Sequence, residues 1–202
     1  MMPALLSTTY FGPVQWYQKL CRCDEVWMES KEHFIKQTYR NRCVIASTHG
    51  PQTLTVPIIH DATAAIRDIR ISDHGNWRHL HWNAIRSSYG ESPFFEFYAD
   101  DLAPFFEKSW EFLFDLNEAI TAKMCELIDI EPRIHHTTEY SRDAGDMSDF
   151  RDAIRPKSPL PDPTFTPKPY YQVFAQKNGF LPNLSILDLL FNEGNEAVMY
   201  LL

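Results

Sequence analysis

The sequence KQTYRNR places three cations within seven residues of an otherwise acidic chain. Lys36 carries a point charge, whereas Arg40 and Arg42 carry planar guanidinium groups that match the oxygen geometry of a carboxylate or a phosphate. Asn41, between the two arginines, adds an amide donor. Two interpretations follow: these side chains bind an anionic group of a ligand, or they form a solvated face that pairs with glutamates such as Glu32.

His81 and Asp68 have the chemistry for proton transfer. An imidazole accepts a proton near pH 7, so His81 is a candidate general base for a hydroxyl or an amine. It lies one helical turn from Trp77 on an apolar stripe, where a buried and hydrogen-bonded histidine is more common. A carboxylate such as Asp68, at the end of a parallel strand, would lie where α/β sheets bind ligands; an ion pair with Arg67 or Arg70 is the alternative.

Polar residues in the second half of the chain form a third group of candidates. Arg151 lies in DFRDAIRPK, where it could close over a ligand as part of a lid; an exposed loop with local ion pairs is the alternative. Ser185 and Asp188 have the spacing of a helix capping box, with Asp in place of the commoner Glu. Helix capping explains Asn183, Ser185 and Asp188 without a role in binding, and a binding role is the alternative.

Several catalytic signatures are absent from the sequence. It contains no GxxxxGK[ST], GxGxxG or GxSxG motif, and its seven glycines cannot build a contiguous phosphate-binding loop. These absences exclude P-loop NTPases, the usual dinucleotide-binding fingerprint and the nucleophile elbow of α/β-hydrolases. No HExxH motif occurs and the closest cysteines form only a CxC, so we predict no metal site and identify no cofactor.

The overall charge restricts the classes of partner. A formal net charge of −8 and a pI near 5.4 disfavour binding to nucleic acid or to anionic lipid, since both require a dominant positive field. No apolar run is long enough to cross a bilayer, and the N-terminal apolar run is too short for a signal peptide. We therefore expect a cytoplasmic protein. The cations of the KQTYRNR segment make a small anionic molecule the expected partner. The sequence does not indicate an oligomeric state.

Hydrophobic patterns predict the elements that position these residues. A strand at 4–11, a helix at 13–22 and a short strand at 25–29 favour a βαβ unit within a parallel sheet. The other predicted strands are at 53–58, 66–71 and 170–174, and the other predicted helices are at 77–89, 105–129 and 184–192.

The chain length and its proline distribution predict the domain organisation. We expect one domain over residues 1–202, because too few residues follow the proline-rich segment to form a second core. The predicted fold class is α/β, with a mostly parallel, Rossmann-like sheet flanked by helices; an irregular α+β domain is the alternative. Residues 141–169 contain six prolines, a density that excludes a helix or a central strand, and we predict an arm or lid packed on the domain.

Seven short motifs occur in the same order here as in a known family. They are the aromatic turn that ends at Pro13, Asp24 before a strand, Lys36 with Asn41 and Arg42, the segments 54–58 and 66–71, Trp77 with His81 and Tyr89, and the segment 184–189. Together these motifs resemble those of the WbqC-like family. The family often has a Gln-Pro pair before the aromatic turn, whereas this chain has Ser7-Thr8-Thr9-Tyr10 there.

The resemblance implies a function. Members of the WbqC-like family occur in gene clusters for O-antigen and related polysaccharides, and a glycine transferase role has been suggested for them. The resemblance therefore implies a transferase that moves glycine or a related aminoacyl group to a sugar, with His81 or Asp68 as base. The basic cluster, with Trp77 and Tyr89, would then bind an anionic donor or a sugar nucleotide. The alternative is a non-catalytic module that binds a sugar nucleotide or a partner protein of the same pathway.

Overall fold

The computed structural model describes residues 2–59 and 61–202 of the chain. The strands are β1 (Ala4–Ser7), β2 (Val26–Glu29), β3 (Arg42–Ser47), β4 (Gly50–Thr55), β5 (Ile58–Ile59), β6 (Arg70–Ile71), β7 (Ile134–His136) and β8 (Ser148–Asp149). The α-helices are α1 (Val14–Arg22), α2 (Trp77–Tyr89), α3 (Phe95–Leu102), α4 (Pro104–Glu107), α5 (Leu113–Leu127), α6 (Ala175–Asn178), α7 (Ile186–Glu193) and α8 (Ala197–Leu201).

Four short strands form a parallel sheet at the centre of a mixed α/β domain, in the order β7-β2-β1-β8. Ala4 of β1 pairs with Val26 of β2 on one side and with Ser148 of β8 on the other. The chain leaves β1 through α1 toward β2, and β8 lies on the opposite side of β1. The connections therefore reverse direction between β1 and β8, and open α/β sheets bind ligands beyond the carboxyl ends of strands at such a switch point.

The predicted βαβ unit at the N-terminus is confirmed, although its first strand is shorter than expected. β1 ends at Ser7 because the chain then turns: the Tyr10 N–H donates to the Tyr39 carbonyl at 2.9 Å, and Phe11 has a φ of 41°. Helix α1 is tied to this end of the strand, since the Trp16 indole N–H donates to the Ser7 carbonyl at 2.9 Å. Trp16 is fully buried, as is typical of a helix that covers one face of a sheet.

The strand predicted at 53–58 is the second strand of an antiparallel hairpin. β3 and β4 pair along their whole length. The hydrogen bonding continues one residue beyond β4, since the Val56 N–H donates to the Asn41 carbonyl, and it stops at Pro57, which has no N–H to donate. The sheet order places this hairpin outside the four-stranded parallel sheet.

The strand predicted at 66–71 is wrong for most of its length. Residues Ile66–Asp68 form a 3-10 turn, and only Arg70–Ile71 (β6) pairs, antiparallel with β5. Ile66 and Ile69 are both buried and lie three residues apart, which is the period of a 3-10 turn. The sequence IRDIRI has this period as well as the alternation of a strand, so the pattern alone does not distinguish a 3-10 turn from a strand.

Helix α2 confirms the helix predicted at 77–89, whereas the helix predicted at 105–129 is interrupted. Residues 108–112 separate α4 from α5: Phe112 is extended, with φ −111° and ψ 138°, and the Leu113 N–H donates to the Ile69 carbonyl at 2.9 Å. Helix α5 keeps the predicted apolar stripe, and its buried members are Leu113, Leu116, Ile120 and Met124, continued by Ile128.

The C-terminal segment packs against the N-terminal turn. Helix α7 confirms the helix predicted at 184–192. The Val14 N–H donates to the Leu184 carbonyl, and the Ile186 N–H donates to the Gly12 carbonyl, both at 2.9 Å. The start of α1 and the start of α7 therefore form one packing unit, although they are far apart in the sequence.

The strand predicted at 170–174 is wrong, since the described residues there form no strand. The Gln172 side chain donates to the Leu181 carbonyl and accepts from the Leu181 N–H, both at 2.9 Å. The side chain of Gln172, and not the backbone of residues 170–174, makes this contact, and the backbone remains a loop before α6.

Residues 141–169 contain the two-residue strand β8 and are otherwise irregular. We did not expect a strand there. Asp162 pairs with Lys19 of α1 at 2.7 Å and accepts from the Gln15 side chain at 2.8 Å. The Lys19 and Asp162 side chains are both buried, so this contact holds the proline-rich part of the segment on α1. Movement of the segment as a lid stays a prediction.

Candidate functional site

A set of polar and charged side chains lies at the carboxyl ends of three parallel strands. Ser7, Glu29 and Asp149 are the last residues of β1, β2 and β8. Arg40 and Arg151 connect them, because each guanidinium contacts side chains from different strands or loops. We call this set the carboxyl-edge cluster; it consists of Ser7, Glu29, Glu32, Arg40, Asp149 and Arg151.

Arg40 is held from two sides. Its Nε donates to Glu32 Oε1 at 2.8 Å and its Nη2 donates to Glu32 Oε2 at 2.6 Å, so the pair is bidentate. The same Nη2 donates to Ser7 Oγ at 2.7 Å. The Arg40 side chain is only 3% exposed, and its Nη1 donates to no atom within the described ranges. Arg40 is therefore a fixed, buried cation with one donor group still available.

Arg151 is also buried and paired, which makes its interpretation as part of an exposed loop wrong. Its Nη2 donates to Asp149 Oδ2 at 2.7 Å, and its Nη1 lies 3.4 Å from Glu29 Oε2. The Nη1 also donates to the Ser141 carbonyl at 2.9 Å. The hydrogen bonds to Asp149 raise the pKa of Arg151 above its ordinary value, so the guanidinium stays charged.

Glu29 links the ends of β2 and β7. Its Oε1 accepts from Thr137 Oγ1 at 2.7 Å and from the Lys31 N–H at 2.8 Å, and Thr137 directly follows β7. Its side chain is 1% exposed, and these donors together with the Arg151 guanidinium compensate for the water that the buried carboxylate has lost. Together with Thr137, the cluster thus spans the carboxyl ends of all four strands of the parallel sheet.

Arg40 and Arg151 line one crevice between the ends of β1 and β8. Thr8 and Thr9, which follow β1, lie on the same wall. Thr9 Oγ1 is buried and forms no hydrogen bond within the part of the chain that the structure describes. The crevice has a volume of about 10 Å³, close to the space that one water molecule needs. In this conformation it is too small for a sugar or a nucleotide.

The other members of the KQTYRNR segment do not join Arg40 at the crevice. Lys36 is exposed, as expected for a solvated face. Asn41 is buried and donates through Nδ2 to the Val56 carbonyl at 2.8 Å. Arg42 is partly buried, and its Nε has no hydrogen-bond partner among the described residues. The three cations therefore do not form a single anion-binding surface.

His81 lies in an aromatic cluster beneath the N-terminal turn. Its Nδ1 is 2.9 Å from Tyr10 Oη, and its ring centroid is 5.2 Å from that of Trp77. Burial lowers the pKa of His81 to about 4, with a smaller opposing effect from a hydrogen bond to the Thr55 backbone. The imidazole is therefore neutral at neutral pH. Trp77 is also buried, so the two residues are in contact, as predicted from their spacing.

Asp68 does not lie at the end of a parallel strand. It is exposed in the 3-10 turn before β6, and its N–H donates to the Ala65 carbonyl at 2.9 Å. The prediction of a carboxylate on the ligand side of the sheet was wrong, because the segment around it forms a helical turn and a two-residue antiparallel strand.

Asp188 is the centre of a second buried network. Its Oδ1 accepts from Tyr89 Oη at 2.9 Å, and its Oδ2 accepts from Tyr170 Oη at 2.6 Å and from Gln172 Nε2 at 2.8 Å. Burial raises the pKa of Asp188 to about 6, although the three hydrogen bonds oppose this shift. These three donors are side chains, and the Ser185 N–H donates to the Val44 carbonyl instead, so the interpretation of Asp188 as the acidic member of a capping box was wrong.

Ser185 caps the helix that follows it, as predicted, whereas Asn183 does not. Ser185 Oγ accepts from the Leu187 N–H at 3.3 Å at the start of α7 and donates to the Phe11 carbonyl at 2.8 Å. Asn183 Oδ1 accepts from the Gln15 N–H at 2.9 Å, which caps α1 rather than the helix that follows it. Both residues fasten the N-terminal aromatic turn to the C-terminal helix.

Sequence reasoning missed Ser7 and Asp149 as site residues, and it considered Glu29 and Glu32 only as surface partners of the cations. One signal was present, since Glu29 ends a predicted strand of the parallel unit and Ser7 lies within the other. No comparable signal existed for Asp149, because β8 has only two residues and lies in a segment that we expected to be an arm.

The described part of the chain offers neither a cluster of metal ligands nor a membrane-spanning helix. Over residues 2–59 and 61–202, no group of three or more His, Cys, Asp or Glu side chains has an arrangement that would hold a metal ion. No described helix has both the length and the apolar character needed to cross a bilayer.

The guanidinium and hydroxyl donors at the crevice are suited to an anionic group of a ligand.

Comparison with known proteins places the chain among its relatives. It is 26% identical to a protein of Mycobacterium tuberculosis (strain ATCC 25618 / H37Rv) named uncharacterized protein Rv1507c, over 98% of this chain and 96% of that protein. No solved structure matches the chain. The WbqC-like protein family matches residues 8–154, a range that includes Arg40, His81 and Arg151. Since this range is well over half of the sequence, the chain belongs to the WbqC-like protein family.

Proposed function

We propose that this protein is a cytoplasmic transferase of O-antigen or related surface-polysaccharide assembly that moves glycine or a related aminoacyl group to a sugar. The proposal treats the central sheet as Rossmann-like, with the ligand bound beyond the carboxyl ends of its strands. The observation that carries it is the convergence of Arg40 and Arg151 on one crevice between β1 and β8. Anionic groups of substrates bind at this position in α/β sheets.

An anionic donor or a sugar nucleotide is the proposed ligand of the crevice. Arg40 Nη1 supplies a charged donor with no partner in the described chain, and the Thr9 hydroxyl supplies a second unpaired group. Because the crevice is so small, entry of the ligand requires residues 150–154 to move away from β1. This movement is the proposed lid function of the segment 141–169, and it would displace Arg151 together with the lid.

His81 is the proposed general base, and its Nδ1 lies 2.9 Å from the hydroxyl of Tyr10. The lowered pKa makes it a weak base in this conformation, because the charged imidazolium is poorly solvated. An anionic ligand near the ring would raise this pKa toward neutrality, where a general base is most effective. Asp68 is the second candidate base, with lower support because it is exposed and lies outside the parallel sheet.

Five further candidate residues act in this proposal by positioning the site. Trp77 and Tyr89 hold α2 against the N-terminal turn and the hairpin, since the Ala46 N–H donates to Tyr89 Oη at 3.0 Å. The residues that fasten the turn to α7 are Asn183, Ser185 and Asp188. Lys36, Asn41 and Arg42 are proposed to contact the outer part of the ligand once the segment 141–169 has moved.

Deleting the gene and weighing the polysaccharide repeat unit tests the transferase proposal. The expected result is a repeat unit that lacks the mass of one aminoacyl group, restored by the wild-type gene but not by an Arg40→Met, Glu32→Leu double variant. This double variant removes both charges of a buried pair, so loss of function would not result from an unpaired buried charge. An unchanged repeat-unit mass after deletion would contradict the proposal.

The second candidate function is a non-catalytic module that binds a sugar nucleotide or a partner protein of the same pathway. The charges of the cluster favour the partner-protein form of this function: two arginines and three carboxylates sum to −1, and both arginines are already paired, so the cluster has no excess of positive charge for an anionic substrate. His81→Gln separates the two functions, because a transferase would lose turnover while keeping ligand binding. A module of this kind would show binding without turnover in the wild-type protein.

A further inference from the structure

A second cavity lies between α3 and the turn that follows α7, and it shares no lining residue with the crevice at the carboxyl-edge cluster. Its volume is about 570 Å³, which is within the range of small-molecule binding sites. We call it the α3–α7 cavity; its lining residues are Phe94, Phe97, Tyr98, Glu193, Asn195 and Glu196.

One wall of the α3–α7 cavity is aromatic. Phe97 is 74% exposed, and its ring centroid lies 6.1 Å from that of Phe94. Phe94 is fixed because its ring lies against Gly194, where a Cβ atom would come within 2.7 Å of the ring. Gly194 has a φ of 56°, so a residue without a side chain suits this close approach. An exposed aromatic side chain on a fixed support is a surface that a ligand can cover.

The opposite wall of the cavity is acidic, and hydrogen bonds hold one of its two carboxylates in place. Glu193 Oε1 accepts from the Tyr171 N–H at 2.9 Å, and its Oε2 accepts from Tyr200 Oη at 3.2 Å. Glu196 is exposed at the rim. Among the described residues, no Lys, Arg or His side chain lines the cavity, and neither glutamate forms a salt bridge. The negative charge of this wall is therefore not compensated by a protein cation.

Asn195 adds neutral hydrogen-bonding capacity between the two walls. Its Oδ1 accepts from Tyr98 Oη at 2.9 Å, which fixes the amide and leaves its NH₂ group without a partner within the described ranges. A ligand in the cavity thus meets aromatic faces, two carboxylates and an amide donor. This combination disfavours an anion, because the carboxylates would repel it, and a purely apolar molecule, because the carboxylates would lose water without a new partner.

We propose that the α3–α7 cavity binds a small molecule through a protonated amine. An ammonium group is attracted both to aromatic faces and to carboxylates, and the cavity offers the two together. This binding site is separate from the proposed transferase site, and it does not depend on that function. The shared ligand chemistry is the primary amine, which could be carried by an amino sugar or by an amino-acid derivative.

NMR titration of the full-length protein tests this proposal, because it detects millimolar affinities residue by residue. The amine probes are glucosamine and glycinamide, and their neutral counterparts are N-acetylglucosamine and acetamide. We expect the amide signals of Phe97, Tyr98 and Asn195 to shift with an amine probe and not with its neutral counterpart. Shifts with glucosamine alone indicate an amino sugar, shifts with glycinamide alone indicate an amino-acid amine, and either result supports the proposal.

Two conservative variants connect such shifts to the cavity. Glu196→Gln removes a rim charge, and Phe97→Leu removes an exposed ring without opening the core. Each variant is expected to weaken amine binding about tenfold, which corresponds to roughly 1.4 kcal/mol. Glu91→Gln, an exposed carboxylate that does not line the cavity, is the matched control and should leave the affinity unchanged.

Three results would overturn the proposal of an amine site. One is that no probe shifts these signals, and another is that the neutral probes bind as tightly as the amines. The third is that Glu91→Gln weakens amine binding as much as Glu196→Gln does, since the effect would then reflect overall charge. The Arg40→Met, Glu32→Leu variant should keep amine binding, so failure of the transferase proposal would not affect this outcome.

Discussion

At the scale of single residues, Arg40 and Glu32 form the most strongly positioned pair of the carboxyl-edge cluster. Their side chains are 3% and 5% exposed and share two hydrogen bonds. A buried pair of this kind does not by itself add much stability, because desolvation offsets the attraction between the charges. Removing one partner is different, since the other charge then remains buried without compensation.

Arg40→Ala is therefore expected to destabilise the protein by about 3–5 kcal/mol. The Arg40→Met, Glu32→Leu double variant is expected to lose much less, because both charges are replaced by apolar side chains of similar length. Urea unfolding of the two variants and the wild type measures these differences. Equal destabilisation in the single and double variants would show that the loss comes from packing and not from the unpaired Glu32.

His81 and Asp188 predict opposite pH dependences in the same interval. Burial lowers the pKa of His81 from 6.5 to about 4, so its contribution to stability is present above pH 6.5 and is lost as the pH falls toward 4. Burial raises the pKa of Asp188 from 3.8 to about 6, so the folded state binds the proton more tightly and stability is lost as the pH rises through this interval. Each effect amounts to roughly 3 kcal/mol.

Single variants should reveal each of these two contributions. Relative to the wild type, His81→Gln should make the free energy of unfolding fall more steeply as the pH rises from 4 to 6. Asp188→Asn should make it rise more steeply over the same interval. Urea titrations at several pH values measure both slopes. Parallel curves of unfolding free energy against pH for the three proteins would contradict the shifted pKa values of His81 and Asp188.

At the scale of secondary-structure elements, the segment 141–169 supplies part of the crevice wall, and the joint between α1 and α7 fastens the N-terminal turn. Lys19 and Asp162 hold the proline-rich segment on α1, and the Lys19 ammonium also lies 4.7 Å from the centroid of the Phe150 ring. Phe150 lines the crevice next to Arg151. The contact between Lys19 and Asp162 therefore lies beside the residues that must move if the crevice is to open.

Asp162→Asn should loosen this segment. The Lys19 charge would lose its carboxylate partner, with an expected loss of about 3 kcal/mol in the local contact, and the exposed bond after Lys157 should be cut faster by trypsin. Asp152→Asn is the matched control, since Asp152 pairs with Arg155 at the exposed surface of the same segment. Equal cleavage rates in both variants would mean that Asp162 does not hold the segment.

Ser185→Ala tests the joint between α1 and α7. The variant removes the N-cap of α7 and the hydrogen bond to the Phe11 carbonyl, and we expect it to lose about 1–2 kcal/mol. Ser87→Ala, at an exposed position of α2, should change the stability by less than about 0.5 kcal/mol. Thermal unfolding compares them; a similar loss in both would indicate that the joint contributes nothing specific.

At the scale of the whole molecule, the sequence predicted elements that carry a long periodic pattern or a strong start signal. The βαβ unit and α2 followed from such patterns. The sheet order did not, because β7 and β8 have three and two residues and no periodicity to detect. The break in the helix predicted at 105–129 depends on a tertiary hydrogen bond between Leu113 and Ile69, which a local sequence pattern cannot predict.

The same reasoning applies to the candidate site. Arg40 and Arg151 were predicted from their chemistry, and the structure brings them to one crevice. Their partners Glu29 and Asp149 depend on strand pairing, so they could be identified only once the sheet was known. Asp68 and Asp188 were misplaced for a related reason: their surroundings are set by contacts with distant segments.

The most direct test of the central claim is a thermal-shift screen of the wild-type protein and the Arg40→Met, Glu32→Leu variant. The ligands are sugar nucleotides, coenzyme A thioesters and aminoacyl phosphate analogues, and Arg22→Met, at an exposed cation of α1, is the control. A ligand at about 100 times its Kd adds roughly 2.7 kcal/mol, which corresponds to a shift of several degrees. We predict such a shift with one ligand class in the wild type and in Arg22→Met, and none in the double variant. If no ligand shifts the wild type, or if the double variant responds equally, the carboxyl-edge cluster does not bind the anionic donor.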